Sequence, residues 1–282
     1  MAENLSKHLK KFSKRGPHRV LVGELSYAGL PGKIYAPAEG NALPGVVFGH
    51  DWMKDVKNYH ATLRHLASWG IVVAAPNTER GLMPNHRGFA SDMESCIQIL
   101  NGVRLGVGNI TVAPGRIGLV GHGMGAGAAV LAACDRAKVK SVVAAFPSKV
   151  SPSAEEAAKK VTAQGMIIGT GDFALLDYGN APALAMNWRG DVVYREMEGV
   201  AHSDVAENSH FRLLESLNRR ARRREQVVAL ITGYMLHTLY DDRKLSAFGS
   251  RDAVAKGIES FSGAQLATKA DLTQPGSLSL PF

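Results

Sequence analysis

The residues of this chain best placed for chemistry are Gly121-His122-Gly123-Met124-Gly125. An apolar run, Arg116 to Val120, enters this segment, and a small-residue stretch, Ala126 to Ala133, leaves it. A strand, a sharp turn and a helix are the setting in which G-x-S-x-G presents a serine hydroxyl as nucleophile. The central residue here is Gly123, which has no side chain and nothing to attack with. An acyl-serine at this turn is therefore not expected. His122 is expected to point away from the cleft, and Cys134 lies about three helical turns further on, so neither replaces the serine.

The rest of such a site is an imidazole base, a carboxylate to orient it and backbone donors for an oxyanion. With this motif the chain order is nucleophile, acid, histidine. Downstream, Met166 to Asp172 (MIIGTGD) reads as a strand ending in a loop carboxylate, with Asp177 a second candidate acid. Tyr194 to Asp204 (YREMEGVAHSD) reads as a strand ending in a loop that carries His202. Taken singly, Asp172 is a turn cap and His202 a solvated loop residue; taken in order, they read as a dyad, vestigial or working. Upstream, Pro44 to Trp52 (PGVVFGHDW) is a buried strand ending in a loop, so the N–H groups of Trp52 and Met124 are the expected oxyanion donors. Asp51 is discordant there, because a carboxylate opposes the developing negative charge. It is read as a solvent-facing cap of the segment that follows.

Positioning these groups requires strands that hand over to loops on one edge of a sheet. Residues 19–37 predict two strands around a Gly/Pro turn, an antiparallel hairpin at a sheet edge. Apolar runs then follow at 45–48, 71–75, 117–120, 139–146, 166–168 and 192–194. They alternate with helical patterns near 58–69, 89–101, 124–136 and 205–240, the last expected to break into two helices at its arginines. Buried strands interleaved with helices predict an α/β fold, a mostly parallel sheet covered on both faces. The twenty or so residues between Phe146 and Met166 leave room for one helix, not a large lid. The domain reading is a basic N-terminal segment at 1–18, one α/β domain at 19–262 and a loosely ordered tail at 263–282.

The composition, 45% hydrophobic and 21% charged over 282 residues, is that of a globular protein. The N-terminus lacks the apolar stretch of a Sec-type signal, and Cys96 and Cys134, placed in helices, read as reduced buried thiols. A cytoplasmic location is expected, peripheral at the inner face of the membrane if the basic segments bind it. The net charge of +8 is concentrated. Residues 1–20 carry six Lys/Arg against Glu3, and residues 218–225 carry five Arg against Glu225, so the body is close to neutral. Leu5, Leu9 and Phe12 share a helical face among lysines, the pattern of an interfacial helix, or else of a solubilising tail. Residues 5–15 and 219–224 are thus candidate contacts for an acidic protein partner or an anionic membrane. Neither segment interleaves aromatics, which argues against nucleic acid. No cofactor and no metal is expected.

The wording of the motifs resembles the dienelactone-hydrolase-like branch of the α/β-hydrolases, and within it the bacterial cutinase-like polyester hydrolases and chlorophyllase-type esterases. Those proteins read G-H-S-M-G-G-G where this chain has GHGMGAG, and L-A-S-H-G-F-V-V where it has LASWGIVV at 66–73. The resemblance spans roughly residues 20–250. It implies an α/β-hydrolase fold, triad roles for Asp172 and His202, oxyanion donation by Trp52 and Met124, and no nucleophile at Gly123. Loss of that nucleophile costs about 10⁶-fold in turnover. The leading expectation is a pseudoenzyme, a binding or scaffold protein with a cleft for an acyl or ester-like small molecule. The alternatives are a His–Asp dyad enzyme that needs no serine, or a carboxylic ester hydrolase whose serine was replaced.

Overall fold

The computed structural model describes residues 5–170, 179–207 and 214–272. Among the described residues nine strands form one sheet in the order β1-β2-β4-β3-β5-β6-β7-β8-β9. The hairpin of β1 (Val20–Glu24) and β2 (Gly32–Pro37) is antiparallel and forms one edge, with β2 also antiparallel to β4 (Val72–Pro76). From β4 through β3 (Gly40–Gly49), β5 (Ile110–His122), β6 (Val139–Ala145), β7 (Gln164–Thr170) and β8 (Val192–Met197) every pairing is parallel. β9 (Ile258–Phe261), which no apolar run predicts, closes the far edge antiparallel to β8. This is the expected mostly parallel α/β-hydrolase architecture.

Because side chains alternate across a strand, neighbouring apolar residues feed two separate cores. Val46 and Phe48 of β3 and Val120 of β5 face one side, with α1 (Leu5–Phe12), α2 (His60–Ser68) and α7 (Leu214–Tyr240). Val47 and Leu119 face the other, with α3 (His86–Gly102), α4 (Met124–Ala133), the short α5 (Ala154–Ala158), α6 (Ala181–Met186) and α8 (Gly263–Leu272). Residues 146–163, between β6 and β7, hold α5 alone, so no lid is inserted there.

The structure corrects three local expectations. The arginine-rich stretch does not break the last long helix: α7 runs unbroken from Leu214 to Tyr240. Arginine and alanine are good helix formers, and the apolar face of Val227, Leu230, Ile231, Tyr234 and Met235 anchors the helix to the sheet. Residues 263–272 are not a loose tail. They form α8, which packs on α6 with Leu266 and Ala270 buried and receives a hydrogen bond from Asn180 at the Ala270 carbonyl. Cys96 is buried in α3 as expected, but Cys134 follows the last residue of α4 and is only half-buried.

The basic N-terminal segment also has a place. Residues 5–12 form a helix whose Leu5 and Phe12 are 0% and 1% exposed, with Phe12 set edge-on to Trp69 and Phe248. The apolar face that suggested an interfacial helix is therefore covered by the protein's own core. Lys10, Lys11 and Lys14 remain exposed. Among the described residues no helix is long and apolar enough to cross a membrane.

Candidate active site

The site forms where β3, β5 and β8 end, on the edge of the sheet from which their loops leave. Gly123 joins β5 directly to α4 with φ 57° and ψ −119°, a conformation that a side chain strongly disfavours. The turn is tight because α4 lies against the exit of β3: a Cβ on Gly125 would meet the backbone of Gly49, and one on Gly121 the backbone of Gly125. This close approach brings the loop after β3 against the elbow.

Asp51 comes with it, and here the sequence reading fails. Asp51 is 8% exposed and is no solvent-facing cap. A Cβ built on Gly123 would collide with Oδ1 and Cγ of Asp51, so the carboxylate stands in the space that a serine side chain would take. Met124 N–H, the expected oxyanion donor, donates to Asp51 Oδ1 at 3.0 Å. His202 Nε2 lies 2.9 Å from Oδ2 and, since an ionised carboxylate only accepts, must carry the proton. Asp51 thus brings negative charge to the N-terminus of α4, where free N–H groups favour an anion. Trp52, whose backbone N–H is the other expected donor, is 48% exposed, and its indole N–H, a different group, donates to the Leu82 carbonyl at 3.2 Å. The elbow hydrogen bond on Asp51 comes from Met124.

Burial alone would raise the pKa of Asp51, yet the His202 hydrogen bond, the charges of His122 and His202 and the Met124 amide together outweigh it. The carboxyl is held well below the usual carboxylate range and stays ionised. Charge on His122 also favours the anion, but only where that ring is protonated. Burial first, then the nearby His202 charge, depresses His122 to about 3, so at neutral pH it is uncharged.

His122 does not point away from the site but forms its floor. Its ring lies under His202 with centroids 4.4 Å apart. The Asp51 N–H donates to the Tyr59 hydroxyl oxygen at 3.2 Å, so the hydroxyl proton is free to go to His122 Nδ1 at 2.8 Å. His122 Nε2–H then donates to the His202 carbonyl at 3.1 Å. One neutral tautomer satisfies the whole chain. Asp51, His122 and His202 do bring one ligand atom each within 4.8 Å of one another, the spacing of a metal cluster. Both His122 nitrogens are committed, however, so a cation would have to break the Tyr59 or the His202 contact first. The set fits a hydrogen-bonded pair better than a metal.

The His202 loop is pinned on two further sides. Asp204 Oδ2 accepts from the Ala201 N–H at 3.0 Å and from Arg223 at 3.3 Å, which gives one residue of the arginine run an internal role. Glu207 Oε1 caps the start of α2, accepting from Ala61 and Thr62 N–H at 2.7 and 3.2 Å, and its backbone bonds Asn58. Removing these acceptors by Glu207→Ala is expected to lower stability by about 1–2 kcal/mol, the usual cost of a lost helix cap. Glu207→Gln, which keeps an acceptor oxygen, should lose less. Urea titrations of the two variants check this, and equal losses would mean that the cap carries no weight.

Asp172 and Asp177 lie outside the described residues, so the acid expected for the triad has no position here. What the structure does pair with His202 is Asp51. A family model for the dienelactone hydrolase family matches residues 30–179. The chain belongs to the dienelactone hydrolase family. Comparison with curated proteins finds no significant match. The family span takes in β2 through β7, with both Asp51 and the Gly123 elbow, and ends before His202. In this dienelactone hydrolase-family chain, His202 therefore rests on the geometry at the end of β8. Two groups escaped sequence reasoning, the inward Asp51 and its Tyr59–His122 support. A signal for the first was present: an acid at the end of β3 facing a missing side chain has somewhere to go.

Proposed function

We propose that this protein is a dienelactone hydrolase-family member that binds acyl or ester-like molecules without cleaving them through an acyl-serine. The observation that carries this reading is the Asp51 carboxylate in the place of the nucleophile side chain, hydrogen-bonded to the donor that an oxyanion would use. An ester carbonyl entering that position meets an anion instead of a hydroxyl. Trp52, Met53, Leu82 and Met83 are exposed on the loops after β3 and β4, apolar side chains that would suit a hydrocarbon chain. The exposed lysines of residues 5–15 would serve an acidic partner or an anionic surface by charge alone.

The purified protein is expected to show no turnover of p-nitrophenyl acyl esters above buffer and no serine labelled by a fluorophosphonate. A labelled serine in the cleft would sink this reading.

The 2.9 Å contact between Asp51 and His202 favours a second reading alongside it. A carboxylate and an imidazole in contact, each keeping about a tenth of its side chain open to solvent, are a nucleophile or base and an acid within reach of one bound molecule. On this reading the pair acts on its ligand without any serine.

A further inference from the structure

We propose that a second cavity, on the edge of the sheet where β7 and β8 begin, binds an uncharged carbohydrate. The candidate active site lies on the opposite edge, and β8 runs between the two, from Val192 at the cavity to the turn before His202. The cavity has a volume of about 700 Å³, within the range of about 300–1,000 Å³ common for small-molecule sites. Gln164, Asp191, Val192 and His237 line it together with residues 249–253. Small-molecule sites are mostly apolar. Charged and polar side chains predominate in this lining, which selects for a polar ligand.

One wall is tied down from inside. Arg195 of β8, 0% exposed, donates through Nη2 to the carbonyls of Ala247, Phe248 and Ser250 at 3.0, 3.3 and 2.9 Å, and through Nη1 to that of Ala253 at 3.5 Å. Arg251 Nε–H donates to the Val192 carbonyl at 3.0 Å, which sets its guanidinium over the start of β8. Among the described residues Nη1 and Nη2 of Arg251 and the carboxylates of Asp191 and Asp252 have no hydrogen-bond or ion-pair partner, although all three side chains line the one cavity. His237 Nδ1–H donates to the Asp242 carbonyl at 2.9 Å, so Nε2 of the neutral ring is left as an acceptor. That nitrogen faces Gly249, where a Cβ would lie 3.1 Å from it. Ser250 Oγ accepts from the Asp252 N–H at 3.3 Å and keeps its proton to give.

The charges select the class of ligand. An anion entering the cavity meets Asp191 and Asp252. A cation meets Arg251 and, behind the wall, Arg195, whose charge no carboxylate among the described residues offsets. The two signs balance, so neither kind of ion is favoured. What the lining offers instead is donors and acceptors side by side, and a hydroxyl group uses both at once. Carboxylates and guanidinium forks each hold two neighbouring groups together, and the adjacent hydroxyls of a pyranose ring present such pairs. The C–H face of the ring can rest on Val192 and Ala253.

Saturation-transfer NMR on the full chain tests this, with the methyl glycosides of glucose, mannose and galactose as probes and citrate and glutamine as an anion and a zwitterion. At least one glycoside should bind saturably. Asp191→Ala and Arg251→Ala should each weaken that binding about tenfold, the usual loss when a hydrogen bond to a charged group goes. Both side chains are exposed, so the variants should fold. In the unmodified protein the backbone amide resonances of Gly165, Val192 and Gly249 should shift during the same titration, a reading that needs no variant. The proposal is overturned if no glycoside binds, if citrate or glutamine shifts these amides and the glycosides do not, or if glycoside binding leaves these amides unmoved or survives either substitution at full strength.

Discussion

Gly123→Ser alone will not produce an esterase, and it will destabilise the protein. The new Cβ collides with the Asp51 carboxylate, and it also sits at φ 57° on a backbone that disfavours any side chain. Asp51 must leave, giving up its contacts with Met124 at 3.0 Å and His202 at 2.9 Å. A strained backbone and two buried hydrogen bonds to an anion together cost at least about 4 kcal/mol. For a chain of this size that is a drop of roughly 5–10 °C in Tm. The double variant Asp51→Gly/Gly123→Ser removes the collision, frees the Met124 N–H for an oxyanion and leaves His202 beside the new hydroxyl. It is expected to hydrolyse p-nitrophenyl esters above both single variants, and to recover part of the lost stability. If Gly123→Ser cleaves esters as fast as the double variant, Asp51 does not block the elbow.

Acid will unfold this protein earlier than its carboxylates alone would require. Burial lowers the pKa of His50, His65 and His122, the last from 6.5 to about 3. For His50, hydrogen bonds to the Asp51 and Thr78 carbonyls at 2.8 Å favour protonation, and burial still wins. An imidazole with a depressed folded pKa contributes fully above its unfolded value. Below that value the unfolded chain takes up protons that the folded chain refuses. Stability is therefore complete above about pH 6.5 and falls as the pH drops toward 3. Each such histidine adds a slope of up to about 1.4 kcal/mol per pH unit, so the three together reach about 4 kcal/mol per unit at most. Asp51, also depressed, contributes in the same direction only below about pH 4. Urea midpoints at pH 7.5, 6.5, 5.5 and 5 should decline progressively below 6.5. A midpoint unchanged down to pH 5 would mean that these rings titrate normally in the folded protein.

The alternation of apolar runs with helical patterns was enough to give a parallel sheet covered on two faces, because each run needs only its own neighbours to show that it is buried. The strand entering Gly121 and the small residues leaving Gly125 likewise marked the elbow. Local pattern misjudged α7, where charge density looked like a break; helix propensity and the anchored apolar face further along carried the helix through. It also misjudged Leu5 and Phe12, whose exposed-looking face is filled by Phe248 and Trp69 from distant segments.

What the sequence determined by itself is that a hydrolase scaffold is present and that Gly123, at its strand–helix turn, carries no side chain, since both are written in contiguous residues. What only the tertiary structure decided is where Asp51 goes. It meets Met124 across 73 positions of chain and His202 across 151. Periodicity reports which face of a strand or helix is apolar, not which loops converge at a sheet edge. A loop carboxylate next to a strand end looks the same in sequence whether it turns to water or inward. Here the close packing of Gly49 on Gly125 and the empty space at Gly123 turn it inward.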